Sequence, residues 1–261
     1  MRPLQLEMLY PEIANLFGDT QNLRYLALCL PEAELVRSSL NEEPAFLRRR
    51  PDLIYLGPMT ENGQRLALER LLSHRERIAE LIADGTVFLC TGNALELFGE
   101  RIVNPVQDYE LEGLGLFSLR SELALFDRLN SKVLGRFDTG ASDSEPITLV
   151  GFKSQFSQVY GDNTDGFFLR CTRGVGLNRS SALEGVRRNN FFGTSLLGPM
   201  LILNPPFVRY LIELLLPTGE APRHLAFEQV AQQAYEERLR EFEDPRTSGF
   251  ASPSSAGAAR G

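Results

Sequence analysis

Short apolar runs alternate with amphipathic segments through the first ninety residues. "LQLEMLY" (4–10) alternates apolar and polar positions, the pattern of a half-buried strand. "DTQNLRYLALCL" (19–30) keeps helical spacing behind Asp19, a residue type suited to an N-cap. "AELVRSS" reads as a second short strand and "DLIYLG" (52–57) as a buried strand that stops at glycine. "ENGQRLALERLLSHRERIAELIADG" (61–85) predicts one long helix, its Leu66, Leu68, Leu71, Leu72, Ile78, Leu81 and Ile82 on one broad face and Gly85 closing it. "TVFLC" (86–90) is again a strand. Strands separated by helices at short intervals predict an α/β fold with a parallel sheet and helices on both faces.

The second half is more mixed. "ITLVGF" and "GFFLRC" read as strands; "PPFVRYLIELLL" and "AFEQVAQQAYEERLREF" read as helices. After Glu243 the chain turns to "DPRTSGFASPSSAGAARG", rich in Gly, Ser, Pro and Ala. The expected organisation is a main domain over 1–220, a C-terminal helix over 221–243 and a disordered, dispensable tail over 244–261.

Composition narrows the class. The chain has 261 residues, 43% of them hydrophobic, enough for a sizeable core. Its formal net charge of −7 argues against a non-specific nucleic-acid binder, which needs clustered Lys and Arg. No apolar run is long enough to span a membrane, and the N-terminus has no signal-peptide core of adequate length. The three cysteines, Cys29, Cys90 and Cys171, are too far apart for metal-ligand spacing, so neither a disulfide framework nor a metal is expected. A cytoplasmic protein without a cofactor is the expectation.

Two stretches suggest chemistry. Cys90 ends a strand, and "TGNALELFG" after it reads as a helix start, so the thiol could sit on a nucleophile elbow with its thiolate favoured by the helix N-terminus. The Thr91 N–H would then supply half of an oxyanion hole. The alternative is a core cysteine that happens to end a strand. "GTSLLGPMLILNPPF" (193–207) has the cadence of a loop that displays a side chain, yet the displayed residue is Leu197.

"NLFGDTQNL", "DLIYLGP", "LCTGNALELFG", "LEGLGLF", "LVGFKSQ", "EGVRRNNFFGTSLLGP" and "LNPPF" occur in one order over residues 4–217. Together they resemble the cobyric-acid-synthase-like branch of the class I glutamine amidotransferases, and within it the glutaminase subunits of bacterial lipid II isoglutaminyl synthases. The resemblance implies a flavodoxin-like fold, L-glutamine as ligand, and a heterodimer with a Mur-ligase-like, ATP-dependent subunit that receives the ammonia for a peptidoglycan precursor. It implies Cys90 as nucleophile, with Gly57, Thr91 and Lys132 at the substrate.

The departures from the family are large. Its two histidine positions are Leu197 and Gln155 here. Its glycine-rich oxyanion loop reads "LGPMTEN", in which Gly57 survives but Pro58 has no N–H to give. Lys132 stands where an arginine would grip a carboxylate with two hydrogen bonds. Only two histidines exist: His74 on the polar side of the long helix, and His224 at the start of the last one. Lys153 and Gln155 are the polar residues left near the expected site, and an amide is no base. Without imidazole, a thiol with a pKa of about 8.5 is only a few per cent ionised at neutral pH. Three readings remain open: a glutaminase subunit whose base comes from His224 or the partner, a pseudo-enzyme that keeps the partner or ligand, and a generic α/β binding module. The resemblance further places Leu197 against the sulfur of Cys90.

Overall fold

The computed structural model describes residues 2–141, 144–216 and 224–252. In chain order the elements are β1 (Gln5–Leu9), α1 (Gln21–Cys29), β2 (Glu34–Ser38), β3 (Leu53–Leu56), α2 (Glu61–Leu71), α3 (Arg75–Ala83) and β4 (Val87–Thr91). Then follow β5 (Arg101–Asn104), β6 (Tyr109–Glu112), β7 (Arg120–Leu123), β8 (Leu129–Phe137), β9 (Ile147–Gln155), β10 (Ser157–Tyr160), β11 (Leu169–Arg173) and β12 (Leu183–Glu184). The chain closes with β13 (Val186–Arg188), β14 (Phe191–Thr194), α4 (Pro205–Leu215) and α5 (Glu228–Glu243).

A six-stranded sheet in the order β13-β14-β4-β3-β1-β2 forms the centre. Every pairing in it is parallel except β13 with β14 at the edge. The alternation of strand side chains splits the core in two. Leu6, Met8, Leu53, Tyr55, Leu89 and Phe192 face α1 and α4, while Ile54, Leu56, Phe88, Cys90 and Phe191 face α2 and α3. Helices thus cover both faces of a parallel-rich sheet, the α/β class expected from the alternating pattern.

Two features depart from the sequence reading. The helix expected over 61–85 is interrupted by a 3-10 turn at Leu72–His74, which starts a second axis at Arg75. More importantly, residues 101–184 build two further four-stranded sheets, β10-β7-β5-β6 and β12-β11-β8-β9, antiparallel apart from the β5–β7 pair. Most of these strands are short and half-polar, as in "YELE" and "RSEL", so apolar periodicity did not announce them.

The expected disordered tail is corrected for residues 244–252. The Arg173 guanidinium donates to the carbonyls of Phe242, Asp244 and Thr247 at 2.5, 2.7 and 2.9 Å. The Lys132 N–H donates to Gly249 O at 2.7 Å, and the Ala251 N–H to Ser131 Oγ at 3.0 Å. Phe250 packs edge-on against Phe242 and under the Arg173 cation. A polar composition did not foretell this docking because main-chain groups and one aromatic ring carry it. Residues 253–261, and the expected boundary at 220/221, lie outside the described residues. Truncation after Glu243 is expected to lower the melting temperature by about 5 °C or more, since several net hydrogen bonds and a buried ring are lost together. An unchanged melting curve would contradict the docking.

Candidate functional site

Open parallel sheets offer their ligand crevice at the carboxyl ends of the strands. Here those ends frame a cleft of about 370 Å³. Pro58 and Met59 after β3, Gly92 and Asn93 after β4, Gln155 at the end of β9 and Leu197 after β14 form its walls.

The sharp turn between β4 and the following 3-10 segment, Gly92–Phe98, is the elbow of this sheet. Its left-handed residue is Gly92, with φ of +59°. The elbow position therefore carries no side chain, and Cys90 lies two residues earlier, inside β4. Cys90 is completely buried in the apolar cluster beneath α2 and α3. Burial pushes its thiol well above the usual range, the opposite of what a nucleophile needs. The expectation that Cys90 is displayed is corrected: "TVFLC" runs one residue further as a strand, and the glycine takes the turn. A Cβ on Gly92 would sit 2.6 Å from Pro58 Cβ and 2.9 Å from Leu197 Cδ2. Leu197 thus overlies the elbow glycine, and it is absent from the cluster that encloses Cys90. The expected contact between Leu197 and the Cys90 sulfur is replaced by this one.

Donors for an oxyanion are also spent. The Gly92 N–H bonds Leu196 O at 3.2 Å, and the Met59 N–H bonds Asn93 Oδ1 at 2.9 Å. Asn93 returns its own N–H to Met59 O at 2.8 Å, which pins the Pro58–Met59 loop over the elbow.

The other expected substrate residues are elsewhere. Lys132, on β8, pairs with Glu241 of α5 at 2.8 Å and does not line the cleft. Gly57 packs its α-carbon against Ala14 O and the Tyr55 hydroxyl. Thr91 is buried in register with Thr194, and its hydroxyl donates to Asp19 Oδ2. Neither histidine lines the cleft: His74 meets the edge of Phe46, and His224 is exposed beside Glu228. Gln155 and Leu197 do line it.

Asp19 was expected as a helix N-cap. The structure makes it the hub of the sheet edge instead: its carboxylate receives Thr91 and Tyr55 and faces the Gly198 N–H, with burial raising its pKa against these bonds. Thr20 occupies the cap position, without a side-chain cap bond. Asn22 continues the hub, donating to the Tyr55 hydroxyl and accepting from the Leu201 N–H at 2.9 Å. The stretch "GDTQN" therefore ties α1 to the elbow and to the Leu197 loop.

Glu96 is a cleft residue that sequence reading passed over. It is 3% exposed, accepts from Ser157, and lies 3.3 Å from Gln64 Nε2. Desolvation lifts its pKa to about 7, with Glu61 adding to the rise and the hydrogen bonds opposing it. The available signal was a lone Glu in the apolar run "ALELF".

Two outcomes follow. Iodoacetamide is expected to leave Cys90 unmodified in the folded protein and to label it after denaturation, read by mass spectrometry of the peptides. Fast native labelling would restore an exposed elbow thiol. For Glu96, the proton is held more tightly in the folded chain than in the unfolded one. Stability is then highest at or below pH 4.5 on this account and falls as pH rises towards 7, by on the order of 3 kcal/mol. Glu96→Gln should flatten that part of the stability–pH curve; an unchanged slope would refute the assignment.

The CobB/CobQ-like glutamine amidotransferase domain matches residues 6–202. The chain is 27% identical over 205 residues to the lipid II isoglutaminyl synthase (glutamine-hydrolyzing) subunit GatD of Staphylococcus aureus, covering 78% of each. It is 24% identical over 207 residues to the corresponding subunit of Streptococcus pneumoniae, covering 77% of each. Among the described residues no helix is long and apolar enough to cross a membrane. With a match over most of its length, the chain belongs to the CobB/CobQ-like glutamine amidotransferase family.

Proposed function

We propose that this chain is a non-hydrolysing member of the amidotransferase family that serves as the GatD-like subunit of a lipid II amidation complex. It docks a Mur-ligase-like, ATP-using partner in the cytoplasm rather than generating ammonia itself. The observation that carries the reading is the elbow: Gly92 offers no nucleophile, and Leu197 and Pro58 occupy the space a side chain would need. The similarity to two proteins named as subunits of lipid II isoglutaminyl synthases supports the choice of partner.

The losses reinforce one another chemically. Amide hydrolysis through a covalent intermediate needs an ionised nucleophile, a base that becomes an acid, and donors for the oxyanion. Among the described residues the cleft lining has neither thiol nor imidazole, and the Gly92 and Met59 amides are already bonded within the protein. General acid–base catalysis alone is worth on the order of 100- to 10,000-fold, and loss of a nucleophile compounds it.

The test is a glutamine hydrolysis assay on the chain alone and on the chain co-purified with a Mur-ligase-like subunit, ATP and the lipid acceptor. Wild type and Cys90→Ala are expected to co-purify with the partner equally and to release ammonia at the same background rate. Turnover on the order of 1 per second or faster that disappears in Cys90→Ala would overturn the non-hydrolysing reading. Failure to associate with the ligase would overturn the subunit reading alone.

A further inference from the structure

The cleft keeps features that packing does not require. Gln155 is 8% exposed, lines the cleft, and has neither its amide nitrogen nor its amide oxygen bonded to any protein group. Leaving both halves of a carboxamide unpaired away from water is costly. A leucine would avoid that cost at similar volume. Beyond the bend at Phe156, the Ser157 hydroxyl donates to Glu96, and Gln155, Ser157 and Glu96 all line the cleft. Glu61, in the first turn of α2, adds a second carboxylate to the lining.

The charge balance of this lining is one-sided. Among the described residues it contains Glu61 and Glu96, and no Lys, Arg or His. The remaining walls are largely apolar, with Leu16, Met59, Leu123, Leu125 and Leu197 among them. A free carboxylate entering such a site would meet two acidic groups and no cation, at a heavy desolvation cost. An ammonium would be drawn to the acidic wall. A neutral carboxamide matches the Gln155 amide edge to edge, donor to acceptor and acceptor to donor.

We propose that the cleft is a binding site for a small amino-carboxamide: a ligand with an ammonium group, an uncharged carboxamide in place of a carboxylate, and an apolar side chain. In this site Gln155 pairs with the carboxamide, Glu96 and Glu61 hold the ammonium, and the leucine walls cover the apolar portion. The volume of about 370 Å³ falls in the range of small-ligand pockets. Free glutamine, which carries a carboxylate, finds no cation in this lining to pair with it. The inference rests on the reading of the cleft as non-hydrolytic. Binding and ammonia release are separate measurements, so failure of one leaves the other readable.

The probes are L-leucinamide and L-leucine, which share the ammonium and the isobutyl group and differ only in carboxamide against carboxylate. Isothermal titration or ligand-observed NMR on the full chain is expected to detect leucinamide and to find leucine at least ten-fold weaker. Gln155→Leu and Glu96→Gln should each weaken leucinamide at least ten-fold. Gln155→Leu removes an unpaired amide and Glu96→Gln replaces a desolvated carboxyl group with a neutral amide of the same shape, so the variants are expected to fold, and circular dichroism verifies this. No binding of leucinamide at millimolar concentration, equal binding of leucine, or undiminished binding by the folded Gln155→Leu variant would each overturn the proposal.

Discussion

The cleft depends on one buried ion pair. Lys153, on β9, and Glu184, on β12, are both fully buried, with Nζ and Oε2 2.6 Å apart. Withdrawing two charges from water is expensive, and the pair persists only if every remaining donor and acceptor is answered. Here they are. The ammonium also reaches the carbonyls of Gly176 and Val175, while Glu184 Oε1 accepts from the Thr194 hydroxyl at 3.0 Å and the Ser195 N–H at 2.6 Å. Through those last two bonds the antiparallel sheet holds the end of β14, and with it the loop that carries Leu197. Loss of one partner would leave the other charge buried and release both cleft walls at once, at a cost on the order of 3–5 kcal/mol.

A second constraint is steric. Gly92, Pro58 and Leu197 form one contact, and each determines what the others can be. Any Cβ at the elbow would clash with the proline ring and the leucine methyl. The absent nucleophile, the apolar residue at the histidine position and the proline in the oxyanion loop are therefore one packing arrangement. Restoring one of them alone meets the other two.

The legible parts of the sequence were those whose signal is periodic. Apolar alternation announces β1, short buried apolar runs announce β3 and β4, and helical spacing announces α1, α4 and α5, because each reports directly on what is buried. The collinear motifs identified the family. The elbow was misplaced by two residues because a strand end has no periodic signature; the informative residue was the glycine, the one type at ease at positive φ. Asp19 looked like a cap because its local sequence fits one, and only the tertiary structure brings Thr91 and Tyr55 to it. Lys132 belongs to the expected site only through the family resemblance, and the antiparallel strands carry it to the α5 side instead. Gln155 was read as a missing base, and its unpaired amide becomes evident only once its neighbours are known.

A crevice with no occupant has no physical reason to stay open. Apolar side chains fill unused space readily, and a collapsed interior gains contacts that a cavity forfeits. This cleft instead retains a carboxylic acid whose proton is held up to about pH 7 and an amide with no partner, both of which cost stability. The buried Lys153–Glu184 pair and the Asp19 hub hold its walls apart at further cost in buried charge. Comparable expense occurs at Glu7 on β1, a buried carboxylate with one unpaired oxygen, but there the Ser38 hydroxyl and the Ala45 N–H bond its other oxygen. Packing thus fills the elbow at Gly92, where Pro58 and Leu197 meet, while the wall that carries Glu96 and Gln155 stays polar.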